Sequence, residues 1–428
     1  MYFRHGIYEH NQRDVETQWA EMLADVTNVT GDALLGLGLQ CARCHDHKFD
    51  PITQRDYYRL QAFFTPLLQR ASMPVGTLEQ RLEGEIKAEW KRLRDELKQF
   101  DALKPTPLAQ VKFVASDAGP VAPATFIPKT GVTVEPGFPS VLCEASAKIT
   151  PPPAVLQSTG RRTALANWIT RPDHPLTARV LVNRLWQQHF GRGLAANTSD
   201  FGKLGERPTH PELLDWLAAR FVEDGWSLKK IQHRMVTSAT YRQRAVNTTA
   251  IGMDPANVWL ARIPIRRLGA EQVRDALLAV SGELDFKAGG AGEVADKSTR
   301  RSVYRRVLRN SPDEVLHAFD VPDHISHMPQ RSVTTTPTQS LLLLNSGWIR
   351  ARAFALAKRL AKRHPGEGGA QLQPAHELAL GRAISAPDRA DARAFIEQNS
   401  DGSAAADQAA LAEYCHVLLN ANGFLYVD

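Results

Sequence analysis

Beyond Arg161 the chain is punctuated almost wholly as helices. Gly191 follows an apolar face of Val180, Leu181, Leu185 and Trp186, and glycine is the residue that most readily ends a helix. Thr209-His210-Pro211-Glu212 reads as a capping box with an early proline, opening a helix that bears Leu213, Leu214, Leu217 and Phe221. Ser227 caps another, with Leu228, Ile231, Met235 and Val236 on it. Val273, Leu277, Val280 and Leu284 mark a fourth, and Pro337 precedes a run through Leu341, Leu344, Trp348 and Leu356. Apolar stripes at this spacing must be buried against other helices, so the expected fold is mainly α. Trp168, Leu185, Trp186, Leu214, Leu217, Phe221, Ile231 and Leu277 are its expected core.

The first part of the chain is more varied. Glu16, Trp19, Met22, Leu23 and Val26 recur at helical spacing over residues 15–40. The apolar run that follows contains Gly36 and Gly38, which suggests close packing against something else. Gln54 to Phe64 reads as a short amphipathic helix. Residues 77–103 read as a charged helix with a narrow stripe of Leu78, Leu82, Ile86, Trp90, Leu93 and Leu97. VKFVAS, ATFIP and VTVEP are short β-type runs, followed by a proline linker at Pro151 to Pro153. The predicted organisation is a helical region at 1–70, a charged spacer at 71–105, a small β-containing module at 106–155 and a large helical domain at 156–428.

Composition excludes several classes. The 428 residues carry 52 Lys and Arg against 46 Asp and Glu, a net charge of +6, which is too mild to demand a nucleic-acid partner. No apolar run approaches a membrane span. The opening MYFRHGIYEHNQRDVE is polar and does not read as a signal peptide. Four cysteines are too few for a disulfide-built fold. Cys143 and Cys415 sit in apolar contexts and read as buried small hydrophobes. No G-x-S-x-G, P-loop, Rossmann fingerprint or H-E-x-x-H occurs, so a hydrolase or dehydrogenase reading has no motif behind it.

Cys41, Cys44 and His45 form the sequence C-x-x-C-H. This is the attachment signature of haem c: two thiols form thioethers with the porphyrin vinyl groups, and the adjacent histidine becomes the proximal iron ligand. From this composition the pattern arises by chance roughly once in a thousand such chains. The rival reading is a zinc site using the two cysteines with His45 or His47. Zinc needs four ligands, and no second C-x-x-C is present. A Cys41–Cys44 disulfide is a third reading, and an inert pair a fourth. His47 and Asp50 are candidates for a ligand set with His45, or for a polar loop held by local hydrogen bonds. Asp323-His324-Ile325-Ser326-His327-Met328 gathers two histidines and a methionine, making His327 and Met328 candidates for a sixth iron ligand, with His189 and His210 as others. The basic run RRSVYRRVLRN, from Arg300 to Asn310, reads as a solvated element edge, with an anionic ligand such as haem propionates as the alternative.

GDALLGLGLQCARCHDHKFDPITQRDYYRLQAFF resembles the C-terminal part of the DUF1549 family, a planctomycete cytochrome-associated domain. LANWITRPDHPLTARVLVNRLWQQHFGRGL, SDFGKLGERPTHPELLDWLAARF, RRLGAEQVRDALLAVSG, TTTPTQSLLLLN and LLNANGFLYVD resemble the DUF1553 (PSD1) family. Residues 41–51 match the pattern C-x-x-C-H-x-H-K-x-D-P throughout. The resemblance implies an exported, periplasmic protein with haem or electron-transfer associations and redox partner proteins, whose biochemical role is undefined. The chain departs from it by beginning part-way through the DUF1549-like region and by a short spacer.

Overall fold

A computed structural model of the chain describes residues 15–74, 85–97, 111–128, 130–150, 158–290, 292–293, 298–308, 311, 313–323, 328, 330–365 and 369–427. The described residues are mainly α-helical, and their strands form only two-stranded antiparallel sheets. The chain packs as two compact units, Met1–Arg242 and Gln243–Asp428.

In the first unit α1 (Val15–Thr30) runs into a π turn, Gly31–Leu35. Thr27 and Thr30 donate their hydroxyls to carbonyls four residues back, which competes with regular helical bonding near this end. Gly36 then takes a left-handed conformation, φ 60°. Leu39–Arg43 is a short 3₁₀ turn. α2 (Gln54–Gln61) starts at a capping box in which Thr53 and Asp56 each satisfy the other's backbone N–H. β1 (Leu67–Pro74) pairs with β2 (Val111–Asp117), with a bulge between Leu68 and Ala71. The described side chains of α3 (Glu85–Leu97) are exposed, Leu93 of the expected stripe among them at 41%, and the stripe members Leu78 and Leu82 lie outside the described residues. β3 (Thr125–Phe126) pairs with β4 (Thr133–Val134). The three β-type runs of the sequence therefore form strands. β1 does not read as one: LLQRASMP lacks apolar alternation and falls across the expected start of the spacer.

Four helices complete this unit: α4 (Arg161–Ile169), α5 (Thr177–Phe190), α6 (Pro211–Glu223) and α7 (Leu228–Val236). Gly191 ends α5 at φ 79°, and the Ser227 hydroxyl caps α7, as the sequence predicts. The α6 cap differs. His210 is the N-cap residue, without a side-chain cap bond, and Thr209 instead donates its hydroxyl to Leu194 O. Trp168 of α4 belongs to the same core as Leu35 and Leu39 of the N-terminal loops, Tyr57 and Phe63 from α2 and its exit, and Phe138 of the β-containing stretch.

In the second unit α9 (Ala270–Ser281), α12 (Gly347–Arg363) and α15 (Ala404–Asn420) pack around Leu277, Ile349, Leu356, Cys415 and Leu419. Numbered in chain order, α8 is Thr248–Met253, α10 Glu314–Ala318, α11 Pro337–Asn345, α13 Leu372–Leu380, α14 Ala386–Gln398 and α16 Asn422–Leu425. A strand pair, β5 (Arg266–Arg267) with β6 (Tyr426–Val427), ties the last residues back to the start of α9. The run after Pro337 is two helices, α11 and α12, broken at Ser346, and Leu284 lies beyond the end of α9. The helices after residue 156 are thus shared between two units. Of the expected core residues, Leu185 is half-buried and the other seven are buried. Cys415 is fully buried, and burial raises its thiol pKa to about 12, whereas Cys143 is half-buried.

Candidate haem attachment site

The C-x-x-C-H motif sits on the 3₁₀ turn Leu39–Arg43 and the residues just beyond it. Leu39 and Ala42 face the core at 1% and 0% exposure, which leaves Cys41, Cys44 and His45 exposed around them. The turn closes on itself: the Cys44 N–H donates to Cys41 O at 3.3 Å and the His45 N–H donates to the same oxygen at 3.4 Å. Both thiols are free. The disulfide reading is therefore not the form described.

Two helices hold the turn in place. The Arg43 carbonyl accepts hydrogen bonds from Gln54 Nε2 at 3.1 Å and from the Tyr58 hydroxyl at 3.0 Å, both on α2. Asp46 Oδ1 accepts the backbone N–H of Gln54, the first residue of α2, at 2.7 Å. An anionic acceptor at a helix N-terminus is favoured by the unpaired amides there. The Arg43 guanidinium forks onto Glu21 of α1, with bonds of 2.5 and 3.0 Å, and this pairing lowers the Glu21 pKa. Below the turn Tyr57 is fully buried, its hydroxyl has no hydrogen-bond partner, and burial pushes its pKa far up. Tyr57 therefore stands there as a neutral phenol.

The two histidines are set differently. His45 Nδ1 lies 2.8 Å from Asp46 O. A carbonyl oxygen can only accept, so Nδ1 carries the proton and Nε2 keeps its lone pair, which is the tautomer an Nε2-ligating histidine needs. His47 Nδ1 instead accepts the N–H of Asp50 at 2.9 Å. Its proton is then on Nε2, and neither nitrogen of the neutral ring is free to ligate a metal. The Asp50 carboxylate approaches the same Nδ1 at 3.4 Å, but a nitrogen already accepting an N–H has no proton to offer it, so the contact is no ion pair. Asp50 turns its other oxygen away: Oδ1 accepts the Lys203 N–H at 2.7 Å. Among the described residues no three His, Cys, Asp or Glu side chains are grouped to hold a metal ion.

The other candidates are scattered. Met328 is 39% exposed and belongs to the second unit, whereas His324 and His327 lie outside the described residues. His189 packs edge-on to Tyr241 and His210 bonds Thr209. The basic run is not a uniformly solvated edge. Arg300 is 4% exposed and holds Lys287 O and Gly289 O, Arg305 pairs with Asp313, and Asn310 lies outside the described residues. Of the residues that position the motif, the sequence places Gln54 and Tyr58 on an amphipathic helix without linking them to it, and it does not point to Lys203. The Thr53-x-x-Asp56 pair was a legible signal for the helix start that supplies two of them.

No described helix is long and apolar enough to cross a membrane. No curated protein matches the chain, and no solved structure does. Residues 1–69 match the model of PSCyt2, a protein of unknown function (DUF1549), and residues 161–396 match that of PSD1, a protein of unknown function (DUF1553). The second match takes in more than half of the 428 residues and the first contains the whole C-x-x-C-H turn, so the chain belongs to the PSD1 (DUF1553) family and carries a DUF1549 region ahead of it.

Proposed function

We propose that Cys41, Cys44 and His45 attach a haem c, and that the chain is an exported, electron-transfer-associated protein of the cytochrome-linked kind known from planctomycetes. The observation that carries this reading is the His45 hydrogen bond to Asp46 O, beside two free, exposed thiols. Each thiol would add across a vinyl double bond. A C–S bond forms and the thiol hydrogen goes to the other vinyl carbon, so attachment to the vinyl groups of a haem with reduced iron needs no oxidant. His45 Nε2 would supply the proximal nitrogen, held in orientation by Nδ1–H. A bound haem would supply a one-electron centre, and redox partner proteins would be the natural exchange partners.

The test is expression of the full chain with an export signal and a cytochrome c maturation system. A red protein is expected, with haem that survives denaturing electrophoresis and is lost in Cys41→Ala/Cys44→Ala. A colourless protein containing one zinc by elemental analysis would replace this reading with a structural metal site in a non-catalytic scaffold.

A further inference from the structure

The loop that bears the motif leaves the π turn at Gly36 and ends at Asp50. Both of its ends touch one three-residue segment, Phe201–Lys203, far away in sequence: the upstream end meets Phe201, the downstream end Gly202 and Lys203. At the upstream end the Phe201 N–H donates to Gly36 O at 2.7 Å, and a Cβ on Gly36 would stand 2.8 Å from the Phe201 ring. At the downstream end the Lys203 N–H donates to Asp50 Oδ1 at 2.7 Å, and a Cβ on Gly202 would stand 2.5 Å from Asp50 Oδ2. The segment is itself stiff. The Gly202 N–H is bonded to Asp200 Oδ1, the Gly205 N–H returns to Gly202 O, and a Cβ on Gly205 would collide with Asp200 O. Arg184, largely buried, fastens the same stretch from beneath by donating to both Ser199 Oγ and Asp32 O.

We infer that Phe201–Lys203 is a strap that clamps both ends of the Cys41–His45 loop, and that Asp50 is the positioning residue through which it acts. A loop fixed at both ends has little conformational freedom left to lose when a ligand is attached. The strap comes from the DUF1553 region and the motif from the DUF1549 region, so the two family regions build one site. The purpose assigned to the strap rests on the haem reading above, but the strap itself does not.

The experiment uses the full chain without haem and three variants. Asp50→Asn keeps a carbonyl acceptor for Lys203 N–H, Asp50→Ala removes it, and Gly202→Ala puts a methyl where the carboxylate stands, so that Asp50 must let go. Hydrogen exchange by mass spectrometry is read on peptides covering residues 36–50 and, as a control, 161–169. Alkylation rates of Cys41 and Cys44 are read alongside. Asp50→Ala and Gly202→Ala should raise exchange over 36–50 by about tenfold, the worth of one hydrogen bond of ordinary strength. Both thiols should alkylate faster, the control should stay unchanged, and Asp50→Asn should behave as wild type. The inference is overturned if Asp50→Ala leaves 36–50 unchanged, if Asn is as damaging as Ala, or if the control peptide opens equally. In the matured, haem-loaded protein, the two loosening variants should also lower covalent haem yield and broaden the Soret band, with Asn restoring both. Should exchange respond as expected while the wild type never takes up haem, the strap stands and the haem reading alone falls.

Discussion

The Phe138 ring lies flat on the Trp168 indole, centroids 4.3 Å apart and planes 8° from parallel. Phe63 stacks on the other side of Phe138 at 5.5 Å, and His174 stands edge-on to Trp168 at 4.5 Å. One column of rings therefore joins the exit of α2, the β-containing stretch, α4 and the loop before α5. Phe138→Ala should remove about 3–5 kcal/mol from the first unit, because the slot between two rings cannot collapse. Phe138→Leu should cost less than half of that. Denaturant unfolding followed by tryptophan fluorescence measures both, and equal costs would mean that stacking contributes nothing beyond volume.

His174 makes this column sensitive to acid. Its Nδ1 accepts the N–H groups of Leu176 and Thr177 at 3.3 and 3.2 Å, and its buried Nε2 has no partner. Burial, followed by the Arg171 charge, pushes its pKa from 6.5 down to about 4, with Asp173 opposing. A base depressed in the fold binds more protons when unfolded. Its stabilisation is complete above about pH 6.5, falls as the pH drops toward 4, and is level below that. The whole swing is on the order of 3 kcal/mol. His174→Asn keeps an acceptor for the two amides and removes the titration. The stability gap between wild type and this variant should therefore move against the wild type between pH 7 and pH 4.5, and a gap independent of pH would contradict the assignment.

Gly36→Ala should be among the most damaging single changes in the first unit. The backbone sits at φ 60°, and the added carbon would meet the Phe201 ring and Val180 Cγ2, each at 2.8 Å. Left-handed strain costs an ordinary residue about 1–2 kcal/mol and overpacking about as much again. Gly38→Ala is its control, since that position has open space around it and an ordinary negative φ. The pair is compared by thermal melting.

Arg274 is the largest fully buried side chain among the described residues, 1% exposed. It donates to Ser298 O at 2.6 Å, Arg300 O at 3.0 Å and Ser302 Oγ at 3.2 Å, and it lies over the Trp348 ring. Arg274→Met should cost about 3–5 kcal/mol by leaving buried acceptors unpaired. Arg274→Lys should fail to restore it, because an ammonium cannot span the three acceptors. Limited proteolysis should find new cleavage near residues 298–302 in both variants.

Helix caps and stops were legible in the sequence; long-range pairings and the hydrogen bonding of irregular loops were not. Gly191 and Ser227 act where the sequence puts them, because a stop and a cap depend only on their own turn. The α6 boundary shifts by one residue, with Thr209 held outside the helix by its backbone N–H and its hydroxyl, both donated to Leu194 O. β1 was hidden because its pairing with β2 spans the intervening α3, and nothing in LLQRASMP alone asks for a partner. At the candidate site, C-x-x-C-H was plain, but the roles of the two histidines were not. Which ring nitrogen carries the proton depends on Asp46 O for His45 and on the Asp50 N–H for His47. The buried Arg274 was equally invisible, because its partners lie 24 to 28 residues away.

The seam between Arg242 and Gln243 falls inside the stretch that matches DUF1553. The stretch that matches one family model is thus divided between two compact units. A truncation starting at Arg161 would strip Trp168 of Phe138 and leave α4 with a naked aromatic face, a recipe for inclusion bodies. Scissors placed at the seam would leave each hydrophobic cluster whole. Family borders are a poor guide to where this polypeptide can be cut.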